Sequence, residues 1–231
     1  MSSFREKLNP KKKFNLNLLE PKVIIQNNGG EYRTYTTPEG NKYPSITSVL
    51  GANPEKAKIL QDWKDRVGEE EATKISKKAT RNGTSIHNSL ESYVYGENVY
   101  CSNPQYTAIK KVLDNSVDNV RGLEIPLYSD IIKIAGTADL LAEFDGILSV
   151  IDYKTSKKIK REEWITDYFI QSTFYALCVE ELYGIMVPQI VIIVGVEGEA
   201  KAQVFVKKRR EYVKRLVEAR KLFTIIYNKG K

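Results

Sequence analysis

The chain has 231 residues, with 36 Lys and Arg against 29 Asp and Glu, one His, and a formal charge of +7. Its 42% hydrophobic content fits one soluble globular domain with a sizeable core, and the longest apolar run, residues 190–196, is too short to cross a bilayer. Cys101 and Cys178 are the only cysteines, so a disulfide framework, a zinc ribbon and a four-Cys iron–sulfur cluster are excluded within one chain.

In chain order, residues 1–21 read as a basic arm, with Lys11, Lys12 and Lys13 following Asn9-Pro10. Its Ser and Lys content admits a transit segment, but it lacks an Arg-rich amphipathic repeat, and no export signal is visible. Residues 23–25 and 32–36 flank the turn-rich Asn27-Asn28-Gly29-Gly30 and predict a hairpin. Ser45 after Pro44 marks a helix start, with Ile46, Val49 and Leu50 at helical spacing. Successive helices are predicted over 55–95, broken near Gly68 and at Asn82-Gly83, and a further helix over 105–120.

Three strands follow at 123–128, 134–144 and 148–153, the last two joined by an Asp145-Gly146 hairpin turn. A helix is predicted over 162–183, a strand buried on both faces over 189–196, a further strand over 202–207 and a basic helix over 208–228. The order predicts a mixed α/β fold in one structural domain. Residues 22–120 form the hairpin and helical elaboration, and 121–231 the core with its C-terminal basic helix.

The chemistry concentrates around Asp139 and, thirteen residues later, Asp152-Tyr153-Lys154. Alternation on a strand points Asp152 and Lys154 the same way, continuing the row of Leu148 and Val150, so a core-facing row turns charged at its end. The Asp145-Gly146 turn folds the two strands back on each other and sets Asp139 nearly opposite Asp152. Burying carboxylates together is costly unless a site uses them. A divalent cation between them relieves the repulsion and polarises a phosphoryl oxygen. A nearby Lys can orient or activate water and offset developing charge. The competing reading is a structural ion pair at a sheet edge. With a single His, a metal site rests mostly on oxygen ligands, which favours Mg²⁺ or Mn²⁺, one ion or two.

Asp139, Asp152-Tyr153-Lys154 and Gln171-Ser-Thr-Phe-Tyr175 together resemble the motif set of the PD-(D/E)XK nucleases. The Gln-x-x-x-Tyr element and Gly83-Thr-Ser-Ile-His87 are similar to their RecB-like branch. Within that branch, Pro44-Ser-Ile-Thr-Ser-Val and the thirteen-residue spacing resemble phage exonucleases and the mitochondrial genome maintenance exonuclease. The resemblance implies a restriction-endonuclease-like core, a mixed central sheet flanked by helices. It implies Asp139, Asp152, the Tyr153 carbonyl and His87 as metal ligands, Glu124 as an acidic position serving a second metal or supporting the first, and Lys154 as the catalytic lysine. Gln171 and Tyr175, four apart on one helix face, would brace the site or touch DNA. Ala138 stands where the motif's proline would be, and the cysteine count denies the iron–sulfur cluster of some relatives. A lone His on the apolar face of Ile86, Leu90 and Val94 also fits a packed residue, and Glu91 one turn on fits either a hydrogen-bond partner for it or a solvated residue.

For nucleic acid, Ser45, Thr47 and Ser48 at a helix start suit a phosphate or ordinary capping. Thr155 and Ser156 lie beside the catalytic strand, and Arg81, just before the His87 helix, could clamp a phosphate. Trp63, Tyr93 and Tyr95 are stacking candidates or core, and the C-terminal basic helix is a solvated face or a DNA contact. The resemblance implies a DNA exonuclease preferring single strands, with possible recombination or replication partner proteins. A structure-specific endonuclease and a non-catalytic DNA-binding subunit stand as alternatives. The excess of Lys over Arg fits an AT-rich source such as a phage, hence a cytoplasmic setting, with the mitochondrial matrix as the alternative.

Overall fold

The computed structural model describes residues 12–228. The arm expected at 1–21 therefore lies partly outside the described residues. Its described part, residues 12–21, runs along the main sheet: Asn17 and Leu19 donate their N–H groups to the carbonyls of Val120 and Arg121 at 2.8 and 2.7 Å. Strands β1 (Ile25–Asn27), β2 (Thr34–Thr36) and β3 (Lys42–Pro44) form a small antiparallel sheet around the expected hairpin turn.

Ser45 then caps α1 (Ile46–Gly51), accepting the Ser48 N–H at 2.9 Å. Helices α2 (Pro54–Val67), α3 (Glu69–Val94) and α4 (Pro104–Ser116) follow. Gly68 breaks the first pair, at φ +88°. Asn82-Gly83 does not break α3, because tertiary contacts use both residues. Asn82 donates to the Gln105 side-chain oxygen Oε1 at 2.9 Å and accepts from the Asn103 side-chain amide at 2.8 Å. Its amide thus serves α4 and does not compete for its own backbone. The fourth helix also ends earlier than its apolar pattern predicts. The strand β4 (Val117–Ser129) takes over directly, and the helix cap Val117 is already extended.

Strands β4, β5 (Ile134–Phe144), β6 (Ile147–Ser156), β7 (Gln189–Val196) and β8 (Gln203–Lys208) form one sheet in that order. All neighbours are antiparallel except β6 and β7, which the helix α5 (Thr166–Tyr183) connects. A 3₁₀ turn, Glu162–Ile165, precedes α5 where a helix start was expected, and Arg209–Glu211 makes another before α6 (Val213–Asn228).

Apolar side chains cover both faces of the sheet. Ile190, Ile192 and Val194 pack with α1, α5 and α6, while Val191 and Ile193 pack with α3 and α4. Tyr93 belongs to this second core, 2% exposed and edge-on to Phe14, so it offers no stacking face to a base. This is the mixed, helix-flanked α/β architecture with a helical N-terminal region expected from the element order.

Candidate active site

The site forms where the sheet loosens. The turn Asp145-Gly146, with φ +49° and +79°, sets the β5–β6 register, whose last pair is Leu140 with Ile151. Asp139 and Asp152 stand at the next step. On the other side of β5, Leu123 pairs with Leu140 and Ile125 with Ala138, which leaves Glu124 facing the Asp139 position from β4. Glu124 adopts φ +42°, a left-handed conformation costly for a non-glycine residue, just after the register shift between Asp118 and Gly122.

Backbone and imidazole hold Asp139 in place. The Tyr153 N–H donates to Asp139 Oδ2 at 2.8 Å. His87, from α3, places Nδ1 3.5 Å from Asp139 Oδ1 and Nε2 3.0 Å from the Tyr153 carbonyl oxygen. One ligand atom each from His87, Glu124 and Asp139 lies within 4.8 Å of the others. Asp152 is 1% exposed and lies outside that trio. It pairs through Oδ2 with the Lys154 ammonium, and its Oδ1 has no hydrogen-bond partner among the described residues. Lys154 Nζ lies 5.1 Å from the centre of the Tyr168 ring.

Protonation follows from burial and proximity. Burial, then the Asp139 charge, raises the Glu124 carboxyl to about 7. Burial, with Asp139 adding and Lys154 opposing, raises Asp152 to about 6. Asp139 is buried too, but His87, Lys154 and the Tyr153 N–H outweigh burial and hold it below the usual carboxylate range. Burial works against charge on His87, and Asp139 overcomes it, so the imidazole is raised. Burial likewise works against Lys154, and Asp152 and Asp139 overcome it, so the amine stays an ammonium at neutral pH.

These residues fit a hard divalent cation. Three carboxylates crowd together, two hold protons unusually tightly, and Asp152 is buried against a single ammonium. Each condition improves when a cation is shared among oxygen donors. His87 and the Tyr153 carbonyl oxygen lie beside these carboxylates as further nitrogen and oxygen donors.

Gln171 donates to Tyr175 Oη at 3.2 Å on the inner face of α5. Gly136 is required there, because a Cβ would come within 2.9 Å of that hydroxyl. Both side chains line a cleft of about 260 Å³ shared with Glu124, Ser45, Thr47 and Arg33. Ser45 is buried and committed to capping, whereas Thr47 is exposed in the cleft. Thr155 and Ser156 line a second cleft of about 480 Å³ on the other side.

Arg81 lies inside the continuous α3, not ahead of it, and is exposed and lines neither cleft. Glu91 makes no hydrogen bond to His87 among the described residues, and it lines a shallow cleft beside Glu124. Sequence reasoning missed Arg33, Lys78 and Lys157, which become neighbours of the site only through tertiary folding. Tyr168 was detectable, since Tyr168, Gln171 and Tyr175 fall at i, i+3 and i+7 on one helix face.

A mixed sheet that presents paired aspartates and a lysine where its central strands part defines a restriction-endonuclease-like fold. Residues 53–224 match the model of the PD-(D/E)XK nuclease superfamily, and the chain belongs to that superfamily. Mitochondrial genome maintenance exonuclease 1 of Mus musculus is 30% identical over 131 residues, 52% of this chain and 39% of that protein. Its Homo sapiens counterpart is 30% identical over 146 residues, 58% of this chain and 40% of that protein. The alignments thus span well under half the length of these relatives. The crystal structure of SSO0001 covers 80% of this chain and 75% of its own at a TM-score of 0.43 and 13% identity, a likeness on which nothing further rests.

Proposed function

We propose that the chain is a Mg²⁺- or Mn²⁺-dependent DNA exonuclease acting by preference on single strands and leaving 5′-phosphates. The observation that carries this is the Asp152 carboxylate, buried and paired with the Lys154 ammonium, next to the His87, Glu124 and Asp139 trio. A bound divalent cation would neutralise the carboxylates and draw charge from the phosphoryl oxygens. Asp139, Asp152, the Tyr153 carbonyl, His87 and Glu124 are the donors that would hold it. Lys154 is an ammonium at neutral pH, so it stabilises negative charge developing on the phosphoryl group and does not accept the proton of the attacking water. Tyr168 fixes the Lys154 side chain from one side, and Gln171 with Tyr175 braces the cleft wall beside Glu124.

The exonuclease assignment is supported by similarity to the two mitochondrial genome maintenance exonucleases, which also make a role in genome maintenance and a mitochondrial matrix setting readings to test. The cytoplasm of a phage-infected cell remains the setting favoured by composition, and partners from replication or recombination belong to the same proposal. Labelled single-stranded and duplex DNA, incubated with Mg²⁺, Mn²⁺ or EDTA, tests the activity. Metal-dependent loss of the single strand is expected from wild type, none from Asp152→Ala, and a loss slowed roughly 10²- to 10³-fold from Lys154→Ala. A wild type inert toward both substrates would end the proposal. Digestion of a circular single strand would convert it to the endonuclease reading.

A further inference from the structure

The 480 Å³ cleft has no role in the chemistry described above, although it starts one residue from the lysine. Its walls are α3, the start of α4 and the end of β6. Lys78 and Asn82 lie one turn apart on α3, and Thr155, Ser156 and Lys157 continue β6 beyond Lys154. A Cβ on Gly83 would sit 3.8 Å from Thr155 Oγ1, so α3 passes close to the strand one turn before His87. The floor is rigid: the buried Gln105 donates to the carbonyls of Ser156 and Gly195 at 3.0 and 2.9 Å, and Asn82 and Asn103 lock it in place.

The floor amides are thus used up internally, whereas the lips are not. Lys78 and Lys157 are exposed and form no ion pair among the described residues. Glu197 is the one acid lining the cleft among the described residues. The smaller cleft, with Arg33 and Thr47, lies on the Glu124 side of the aspartates. A substrate processed between two clefts must extend both ways, as a polymer does and a mononucleotide does not. Lysines act as point charges, suited to phosphodiesters whose register varies as a strand advances.

We propose that this cleft holds the phosphodiester backbone of the strand on one side of the reacting phosphate, with Lys78 and Lys157 as positioning residues and the Thr155 hydroxyl between them. The inference rests on the DNA-cleaving reading of the neighbouring site and adds the residues that grip the polymer.

The test measures binding apart from cleavage. Fluorescence anisotropy of a labelled oligothymidylate in EDTA, on an Asp152→Asn background, compares Lys78→Glu/Lys157→Glu with Lys214→Glu/Lys221→Glu, which reverses two exposed charges on α6. Circular dichroism confirms that each variant is folded. The cleft pair is expected to weaken binding roughly ten-fold at low salt and to reduce the salt slope by about 1.4, two released counterions on a single strand. With Asp152 restored, KM should rise while kcat at saturating DNA stays within about two-fold, and Lys78→Arg/Lys157→Arg should bind like wild type. An unchanged affinity and slope, or an equal loss from the α6 pair, would overturn the cleft assignment while leaving a cleaving wild type intact. A wild type that neither binds nor cleaves would overturn the nuclease reading and this inference with it.

Discussion

Glu124 concentrates the tension between stability and chemistry at the site. It spends conformational energy on φ +42° and holds a carboxyl raised to about 7 by burial and Asp139. Its folded pKa exceeds the unfolded value, so its favourable contribution is complete below about 4.5 and is lost as pH rises through about 7. Asp152, raised to about 6, acts in the same direction, as does the raised His87, whereas Asp139 is lowered and matters only in acid. The metal-free chain should therefore lose stability between pH 5 and pH 8, as urea unfolding in EDTA would reveal. Glu124→Gln should remove part of that loss, raising metal-free stability at pH 8 by about 2 kcal/mol. It should also diminish the rise in Tm that Mn²⁺ gives the wild type. A Glu124→Gln chain no more stable than wild type at pH 8 would contradict the assigned burial. Lys154 gives a second residue-scale expectation. Because it is a charge stabiliser, Lys154→Ala should lower kcat roughly 10²- to 10³-fold with little change in KM.

The elements reach the site through close approaches that glycine alone permits. Gly136→Ala would drive a Cβ to 2.9 Å from Tyr175 Oη and 3.3 Å from Ile46, on β5 and between two helices that cannot both retreat. Overpacking of this kind should cost about 1–3 kcal/mol in urea unfolding and should weaken DNA binding, because Tyr175 lines the cleft. Most elements could be read from the sequence because local chemistry determined them. Asp145-Gly146 specified the turn and, through it, the register that brings the two aspartates level. The unbroken apolar run of β7 was legible for the same reason, as a strand covered on both faces. What remained hidden was set by distant partners. Asn82-Gly83 looked like a helix break because its neighbours Gln105 and Thr155 lie far along the chain. The bulge that turns Glu124 toward Asp139 has no local turn sequence, and Arg33 reaches its cleft only after the hairpin docks. Tyr93 shows the converse case: an aromatic at a plausible binding position was claimed by the core once Phe14 folded back over it.

At the scale of the whole molecule, the N-terminal segment ties the sheet to the helical layer and ends beside the bulge that holds Glu124. Lys12 donates to the carbonyls of Leu113 and Asp114 at 3.4 and 3.0 Å and also to Val117, supplying a cation where α4 ends. Asn15 accepts the Val120 N–H at 2.8 Å, and Asn17 and Leu19 bond to Val120 and Arg121 within the register shift. Phe14 and Leu16 pack on the α3–α4 core, and Leu19 packs on the opposite one. Among the described residues, removal of 1–20 thus deletes three backbone hydrogen bonds and three partly buried apolar side chains. At about 1 kcal/mol per bond and about 1 kcal/mol per side chain, the loss is roughly 6 kcal/mol, a large share of an ordinary domain's stability. Lys12→Ala alone should cost about 1 kcal/mol, in keeping with a single interaction at a helix end. The consequence should extend to the site, because the bulge loses the partner that fixes it and Glu124 loses its imposed conformation. Calorimetric titration with Mn²⁺ should then give at least roughly ten-fold weaker binding in the truncated chain, even at a temperature where circular dichroism shows it folded. Equal Mn²⁺ affinity in the folded truncated chain would mean that the bulge holds Glu124 unaided, and the segment's role would shrink to stability alone.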